Sequence, residues 1–438
     1  MGTAVNVLEQ YSALIDTRLH QRRDPAWLRQ LRESALANLQ ARGLPNKRWE
    51  SWHYSALDFW LAQFSEQHSL APITPDETAP HAALDIPDGH LLHFNHGYLI
   101  DQHLQHDERD AFSLLPLGEL NQHDHAELLE WLRSAQHADP LADLATALAP
   151  ESWVLVIEQG TRVKHPIVIS HRNSQPGSQI SQLIVWARAN SEATVVEHFS
   201  SSTNDVALHC AHIATRLDAN SKLTYARINR DGEQSQHLGV VESHIGRDAR
   251  LQLQVMESAS ADHLRNRIRN GIYVRLIEPN AEFIARGAFA ASDQQHIDYH
   301  FTVEHLSDHG RSDILMQGLA TDRSRGVVNG RIYIAANTRC NDGHFTTHNL
   351  LLSADAEIDT KPELEIYADE VKCAHGATIG QLDEEQLLYL RSRGIDREQA
   401  IALLTEGFLK AGLLDSGNHA LNEFFTEQLL VALPSSGA

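Results

Sequence analysis

ARANSEATVVEHFS, residues 187–200, and DANSKLTYARI, residues 218–228, have the same shape: a small polar residue beside Ala, then a run that alternates or is β-branched. Such runs read as strands bounded by turns. Equivalent turns fall at Asn190, Asn220, Asp248, Asn280, Asp308 and Asn337, with gaps of 30, 28, 32, 28 and 29 residues. A near-constant period of that size is what stacked coils produce, because one coil cannot bury its apolar face without neighbours above and below. The reading is therefore a mainly β chain with a β-helix (solenoid) core. A sandwich or jelly roll is the alternative for strands this short.

Outward from these turns the same texture holds from SWVLVIEQG (152–160) to HNLLLS (348–353), with no helix-length pattern between. The division expected is an N-terminal helical and mixed region over 1–150, the β-helix core over 151–380, and a C-terminal helical domain over 381–438. In the first region, DPAWLRQLRESALANLQARGLP (24–45) has helical spacing, with Asp24 as cap and Gly43 and Pro45 as stop. RWESWHYSALDFWLAQF (48–64) reads as a second short helix, and the proline-rich stretch at 71–89 as a linker or long loop. LLHFNHGYLI suggests short strands, followed by helices at HDHAELLEWLRSAQ and DPLADLATALAP. At the far end, Asp383 with Gln386 and Asp396 with Gln399 have capping-box spacing, and SGNHALNEFFTEQLLVAL forms a last helix.

Thirty-six basic residues against fifty-eight acidic ones give a net charge of −22, which argues against nucleic acid and anionic membrane surfaces as partners. No apolar run is long enough to cross a membrane as a helix, and the N-terminus lacks the pattern of a secretory signal. Three scattered cysteines are no disulfide framework and fit a reducing cytosol, so a cytoplasmic protein is expected. The 28 histidines form pairs such as His93/His96 and His209/His212, but none has the short-range third and fourth ligands of a structural zinc site. Phosphate-loop, dinucleotide, nucleophile-elbow and HExxH patterns are absent. No catalytic residue is assigned.

Chemistry concentrates in EVKCAHGATIG, residues 370–380. On an extended backbone Cys373 and His375 share one face, since side chains alternate with period two. Thiolate and imidazole suit zinc, iron or an iron–sulfur cluster. Two ligands do not complete a site, so a metal here needs donors from another chain. A buried structural cysteine and a Cys–His nucleophile are the other readings; for the nucleophile no orienting residue or oxyanion hole is identifiable. Cys210 and Cys340 are read as structural or incidental.

TKPELEIYADEVKCAHGATIGQLDEEQLLYLRSRGI, residues 360–395, closely resembles the SufD family, one branch of the SufBD proteins of the bacterial SUF iron–sulfur cluster assembly system. RGVVNGRIYI (325–334), NLLLSADAEIDTKPELEIYA (349–368) and LATALAPESWVLVIEQG (144–160) are similar to it as well. Glu370 and Ala374 are mild departures from its pattern. The resemblance implies a right-handed parallel β-helix flanked by helical regions, and a non-enzymatic scaffold. It implies pairing with SufB through the β-helix end, where Cys373 and His375 are candidate partial ligands of a transient iron–sulfur cluster. It also implies that the SufC ATPase docks on the C-terminal helices, where Leu387, Leu388, Tyr389, Arg393, Ile401, Leu404 and Phe408 are candidate contacts. No cofactor is expected to stay bound to the lone chain; a flavin in the complex and a homodimer of the chain alone are left open. Competing classes are a β-helix carbohydrate-active enzyme and a stand-alone metal-binding protein.

Overall fold

The computed structural model describes residues 23–55, 86, 88–108, 110–121, 126–134, 137–173, 177–201, 207–230, 232, 235–257 and 265–431. Helix α1 spans Ala26–Arg42; strands β1 (His90–Asn95), β2 (Tyr98–His103) and β3 (Phe112–Pro116) follow, then helices α2 (Ala126–Ser134) and α3 (Pro140–Leu148). The strand run comprises β4 (Ser152–Ile157), β5 (Ile167–Asn173), β6 (Gly177–Ala187), β7 (Glu192–Ser201), β8 (Ala207–Leu217), β9 (Lys222–Arg230), β10 (Gln236–Ile245) and β11 (Arg250–Glu257). It continues through β12 (Arg267–Leu276), β13 (Glu282–Ala291), β14 (His296–His305), β15 (Arg311–Ala320), β16 (Arg325–Ile334), β17 (Asn341–Leu351), β18 (Glu357–Ile366) and β19 (Val371–Gly380). Helices α4 (Glu384–Ser392), α5 (Arg397–Lys410) and α6 (His419–Val431) close the described chain.

Successive strands alternate between two sheets. One runs β19-β17-β15-β13-β11-β9-β7-β5-β1-β2, the other β18-β16-β14-β12-β10-β8-β6-β4-β3. Every ladder from β4 to β19 is parallel, and antiparallel β2 and β3 add a strand at the starting end of each sheet. This is a β-solenoid of about seven turns with helices at both ends. Strand β1 pairs in parallel with β5, so the first rung comes from within the stretch read as mixed.

The corners explain the period. Gly160, Asn190, Asn220, Asp248, Asn280, His309 and Cys340 all have positive φ. Each donates its N–H to the corner carbonyl of the next coil: Asn190 to Ala219, Asn220 to Arg247, Asp248 to Pro279, Asn280 to Asp308, His309 to Arg339 and Cys340 to Glu370. Asn and Asp tolerate this left-handed geometry best among residues with a Cβ, which is why they mark the period. Two expected anchors shift. His309 rather than Asp308 takes the left-handed position, and Cys340 rather than Asn337 makes the coil-to-coil bond, although Asn337 is also left-handed.

Inside, one apolar column runs the length of the solenoid, from Leu92 and Phe94 through Tyr225, Phe283 and Phe301 to Phe345. Outside, α1 and α3 cover the even-numbered sheet over Ile180, Leu208, Cys210, Leu238 and Val240. Helices α5 and α6 cover the other sheet, setting Leu409, Leu421, Phe424, Phe425 and Leu429 on Val196, Ile228, Met256 and Leu319.

Local signals were partly redirected. Pro25, not Asp24, holds the N-cap of α1, and the Asp24 carboxylate instead meets the buried Arg32 guanidinium at 3.0 Å. Of the second N-terminal helix, expected over 48–64, the described residues 48–55 form a single turn, Glu50–Trp52, while its residues 56–64 and residues 71–85 and 87 of the 71–89 linker lie outside the described residues. Asp139 caps α3 by accepting from Leu141 N–H. Asp383 accepts from Glu385 N–H, one residue short of box spacing, whereas Asp396 accepts from Gln399 N–H as the box predicts. Helix α5 continues through Gly407 and ends before Gly412.

Candidate functional site: the open end of the solenoid

The two sheets end at β18 and β19, each of which has a neighbour on one side only. Both expose a row of backbone N–H and C=O groups, a template for pairing with another chain. The residues that a further coil would cover are open: Tyr367 is 61 % exposed, Ile379 47 % and Ile366 39 %. The outward face of β18 is charged, with Arg325 bound to Asp359 at 2.6 Å and Arg331 forked onto Glu365 at 2.8 and 2.6 Å. Apolar inward and charged outward residues on an edge strand keep it from pairing at random while leaving the mouth sticky.

Cys373 and His375 sit on β19 and share a face as the extended backbone requires. Register decides which face. Cys373 is the partner of Gly343 and His375 of Phe345, and Phe345 belongs to the interior column. The pair therefore lies on the inward face of the last coil, where the column opens. Cys373 is half-buried against that column and His375 is exposed. Burial pushes the Cys373 thiol above its ordinary pKa, with the Gly343 backbone N–H working against the rise. This is the reverse of an activated nucleophile. Among the described residues, no third His, Cys, Asp or Glu joins the two in a cluster tight enough to hold an ion.

The other cysteines differ. Cys210 is buried beneath α3 on the outer face of β8, its thiol pushed up to about 12 by burial. Cys340 is exposed and serves as a left-handed corner whose N–H holds Glu370 O at 2.7 Å, bracing the entry to β19.

The C-terminal helices form a second surface. Gln254, fully buried on β11, donates to Gly412 O and accepts from Leu414 N–H, locking the turn after α5 to the solenoid. Of the expected contacts, Leu388 and Tyr389 are 65 % and 59 % exposed, and Arg393 is exposed with its guanidinium 5.1 Å from the Tyr389 ring centre. Ile401 and Leu404 are partly covered, Phe408 packs toward the solenoid, and Leu387 is 2 % exposed. Leu403, 50 % exposed on α5, was not singled out by sequence. Its neighbour Leu404 carries the same residue type, and only the docking of α5 decides which of the two points outward.

Among the described residues, two clusters of two histidines and a carboxylate lie elsewhere: His90, Glu108 and His165, and His137, His212 and Glu242. Sequence spacing gave no sign of either, because each draws on separate elements. In the first, Glu108 accepts from His90, from both the ring and backbone of His165, and from Lys164 N–H; these bonds outweigh burial and hold its carboxyl down to about 2.

Residues 168–408 match the SUF system FeS cluster assembly, SufBD core domain. The chain is 27 % identical over 420 residues to iron-sulfur cluster assembly protein SufD of Escherichia coli, covering 94 % of both chains. It is 26 % identical over 398 residues to an iron-sulfur cluster assembly SufBD family protein of Synechocystis, covering 86 % of this chain and 85 % of that one. A third relative, the chloroplastic protein ABCI7 of Arabidopsis thaliana, is 25 % identical over 278 residues, 59 % of this chain and 56 % of its own. With more than half its length inside that core domain, on a solenoid whose last coil stands open, this chain belongs to the SufBD family of iron–sulfur cluster assembly proteins.

Proposed function

We propose that the chain is the SufD-type scaffold subunit of a cluster assembly complex, without catalytic activity of its own. The observation that carries this is the unfinished coil: two parallel edge strands and an opened apolar column, with Cys373 and His375 on its inward face. The partner that fits is a second solenoid, SufB in this family, whose strands extend both sheets by edge pairing. Such a partner would add donors to the thiol and imidazole, and a transient iron–sulfur cluster is the cargo held between the chains. Desolvation under the partner strengthens any charge–metal interaction there. A raised thiol pKa also means that the thiol gives up its proton when metal arrives, so cluster binding is linked to pH.

The C-terminal helices are the proposed seat of the SufC ATPase, with Leu388, Tyr389, Arg393 and Leu403 in contact and Leu387 and Phe408 supporting them from beneath. Ile401 and Leu404 would lie at the rim. Because α5 and α6 are packed on the solenoid wall and locked by Gln254, a push on them moves the stack as one body. The remaining elements of this reading are right-handed winding, as parallel crossovers almost always have, units at about 1–150, 151–380 and 381–438, and a cytoplasmic setting.

The test is co-expression with SufB and SufC from one operon, followed by native mass measurement. A complex containing one SufB, this chain and SufC is expected; it should lose this chain when Ile366 and Ile379 are both changed to Lys, and lose a SufC when Leu388 is changed to Asp. Recovery of only a homodimer through the mouth, or an unaltered complex from both variants, would overturn the assignment.

A further inference from the structure

Away from the mouth, His137 in the turn before α3, His212 on β8 and Glu242 on β10 converge. Glu242 Oε2 lies 2.6 Å from His137 Nδ1 and 3.0 Å from His212 Nε2, and the three donor atoms are all within 4.8 Å of one another. His212 is 1 % exposed and the other two side chains 13 %. We propose that these residues form a site for one borderline divalent transition ion of the Zn²⁺ class, which ties the N-terminal helical layer to two successive coils. Two imidazoles, a carboxylate and an open position are a donor set such ions take. This does not rest on the scaffold reading above.

The bonds behind the donors carry the argument. A ligating histidine gives its second ring N–H to an acceptor that fixes its orientation. His137 Nε2 faces Thr146 Oγ1 at 3.3 Å, and His212 Nδ1 faces the Gln182 carboxamide at 3.2 Å. Thr146 Oγ1 and Gln182 are themselves bonded at 2.6 Å, and the other end of Gln182 meets Ser152 Oγ at 2.7 Å. Without metal, the Gln182 amide donates to His212 Nδ1, which places the His212 proton on Nε2 toward Glu242. Rotating that amide end for end keeps every contact, because its other partners are hydroxyls that can donate or accept. Gln182 Oε1 then accepts from both Thr146 Oγ1 and His212 Nδ1, Thr146 accepts from His137 Nε2, and Gln182 Nε2 donates to Ser152. Both lone pairs, on His137 Nδ1 and His212 Nε2, now point at the Glu242 oxygen. As the ion enters, His212 Nε2 and His137 Nδ1 each lose to solvent the proton they had shared with Glu242, while His212 takes one up from solvent on Nδ1 and His137 holds one on Nε2, so both imidazoles end neutral.

The His90, Glu108 and His165 cluster lacks this freedom. His90 Nδ1 accepts a backbone N–H from Gln105, which cannot reverse, so its Nε2 must keep a proton toward Glu108. At the proposed site the remaining coordination position faces a cavity of about 40 Å³ lined by His137, His212, Glu242 and Tyr273. That is room for an ordered water.

The experiment uses the full chain carrying Cys373→Ala and His375→Ala, so that the mouth contributes nothing and its failure is separate. After stripping with a chelator, Co²⁺ is titrated in and visible d–d absorption and thermal unfolding are followed, with Zn²⁺ as competitor. One equivalent is expected to give a tetrahedral or five-coordinate band that Zn²⁺ abolishes, with a rise in Tm. Glu242→Gln, which can still accept from Ala138 N–H, and His137→Gln, at a partly exposed turn, should each lose the band and the Tm shift while keeping the far-ultraviolet spectrum. Gln182→Met should weaken Co²⁺ binding by about 10–100-fold. Absence of saturable Co²⁺ uptake, or uptake equal in Glu242→Gln and His137→Gln, overturns the site.

Discussion

His375 stands one rung beyond Phe345: the two are direct partners across β17 and β19, and Phe345 is 1 % exposed while His375 is open. The interior column thus does not stop at a cap. It ends in an imidazole, with a thiol two residues away on the same inward face.

Because His375 is exposed and Cys373 only half-buried at the edge of the column, removing them should separate function from folding. His375→Ala is expected to leave the urea midpoint unchanged, and Cys373→Ala, half-buried, to cost about 1 kcal/mol or less. Both should lower the activity of iron–sulfur enzymes in cells dependent on this system under oxidative stress. Full activity in the double variant would remove the ligand role.

The support under His375 can be tested from the opposite sheet. A Cβ at Gly330 on β16 would overlap the Phe345 ring, and Gly330 does not have positive φ, so the demand on it is space rather than backbone freedom. Gly330→Ala should therefore destabilise the terminal coils by about 1–3 kcal/mol through overpacking. Hydrogen exchange is expected to rise in β17 and β19 while β8 and β10 stay protected; uniform protection would show that the ring adapts without cost.

The period was legible because left-handed corners select Asn and Asp, and the chain repeats that choice at 190, 220, 248 and 280. It missed by one residue at His309 and by three at Cys340, where the coil-to-coil corner takes the left-handed geometry without the preferred side chain. That Cys373 and His375 share a face followed from β periodicity alone, but inward or outward depends on the register with β17, which no local pattern encodes. Likewise Leu387 and Leu388 look equivalent until α4 is docked, after which one is 2 % and the other 65 % exposed. The His137, His212 and Glu242 group was invisible for a stricter reason: its members are brought together by coil stacking and a helix turn, not by spacing.

Charge placed on the exposed helical face should remove a partner without touching the core. Leu388→Asp and Leu403→Asp replace side chains that are 65 % and 50 % exposed, so each should shift the unfolding free energy by no more than about 0.5 kcal/mol. Retention of the ATPase partner in pull-downs is expected to fall at least tenfold for each. Leu387→Asp would instead unfold the local helices by burying a charge, and an equal pull-down loss in all three with equal stability would contradict the placement of that face.

Acid should weaken the fold well above the carboxylate range. His96, His296 and His305 are 4 %, 7 % and 0 % exposed, and burial above all brings each imidazole down to about 4. A depressed folded pKa means that, between about 6.5 and 4, the unfolded chain binds protons that the folded chain refuses. Stability from these groups is thus complete above pH 6.5 and lost as pH falls through that window, by up to about 1.4 kcal/mol per pH unit for each proton. His244, brought down to about 4 by burial, and the lowered His90, His212 and His300 add to this loss, while Asp143, raised to about 6 by burial, and the raised His137 and Glu151 work in the opposite sense. Glu108, held down to about 2, adds to the loss only below its ordinary range near 4.5. Urea midpoints measured in chelator from pH 7.5 to 5 are expected to fall steadily. A flat or rising profile would mean that these histidines gain proton-bound partners in the folded chain.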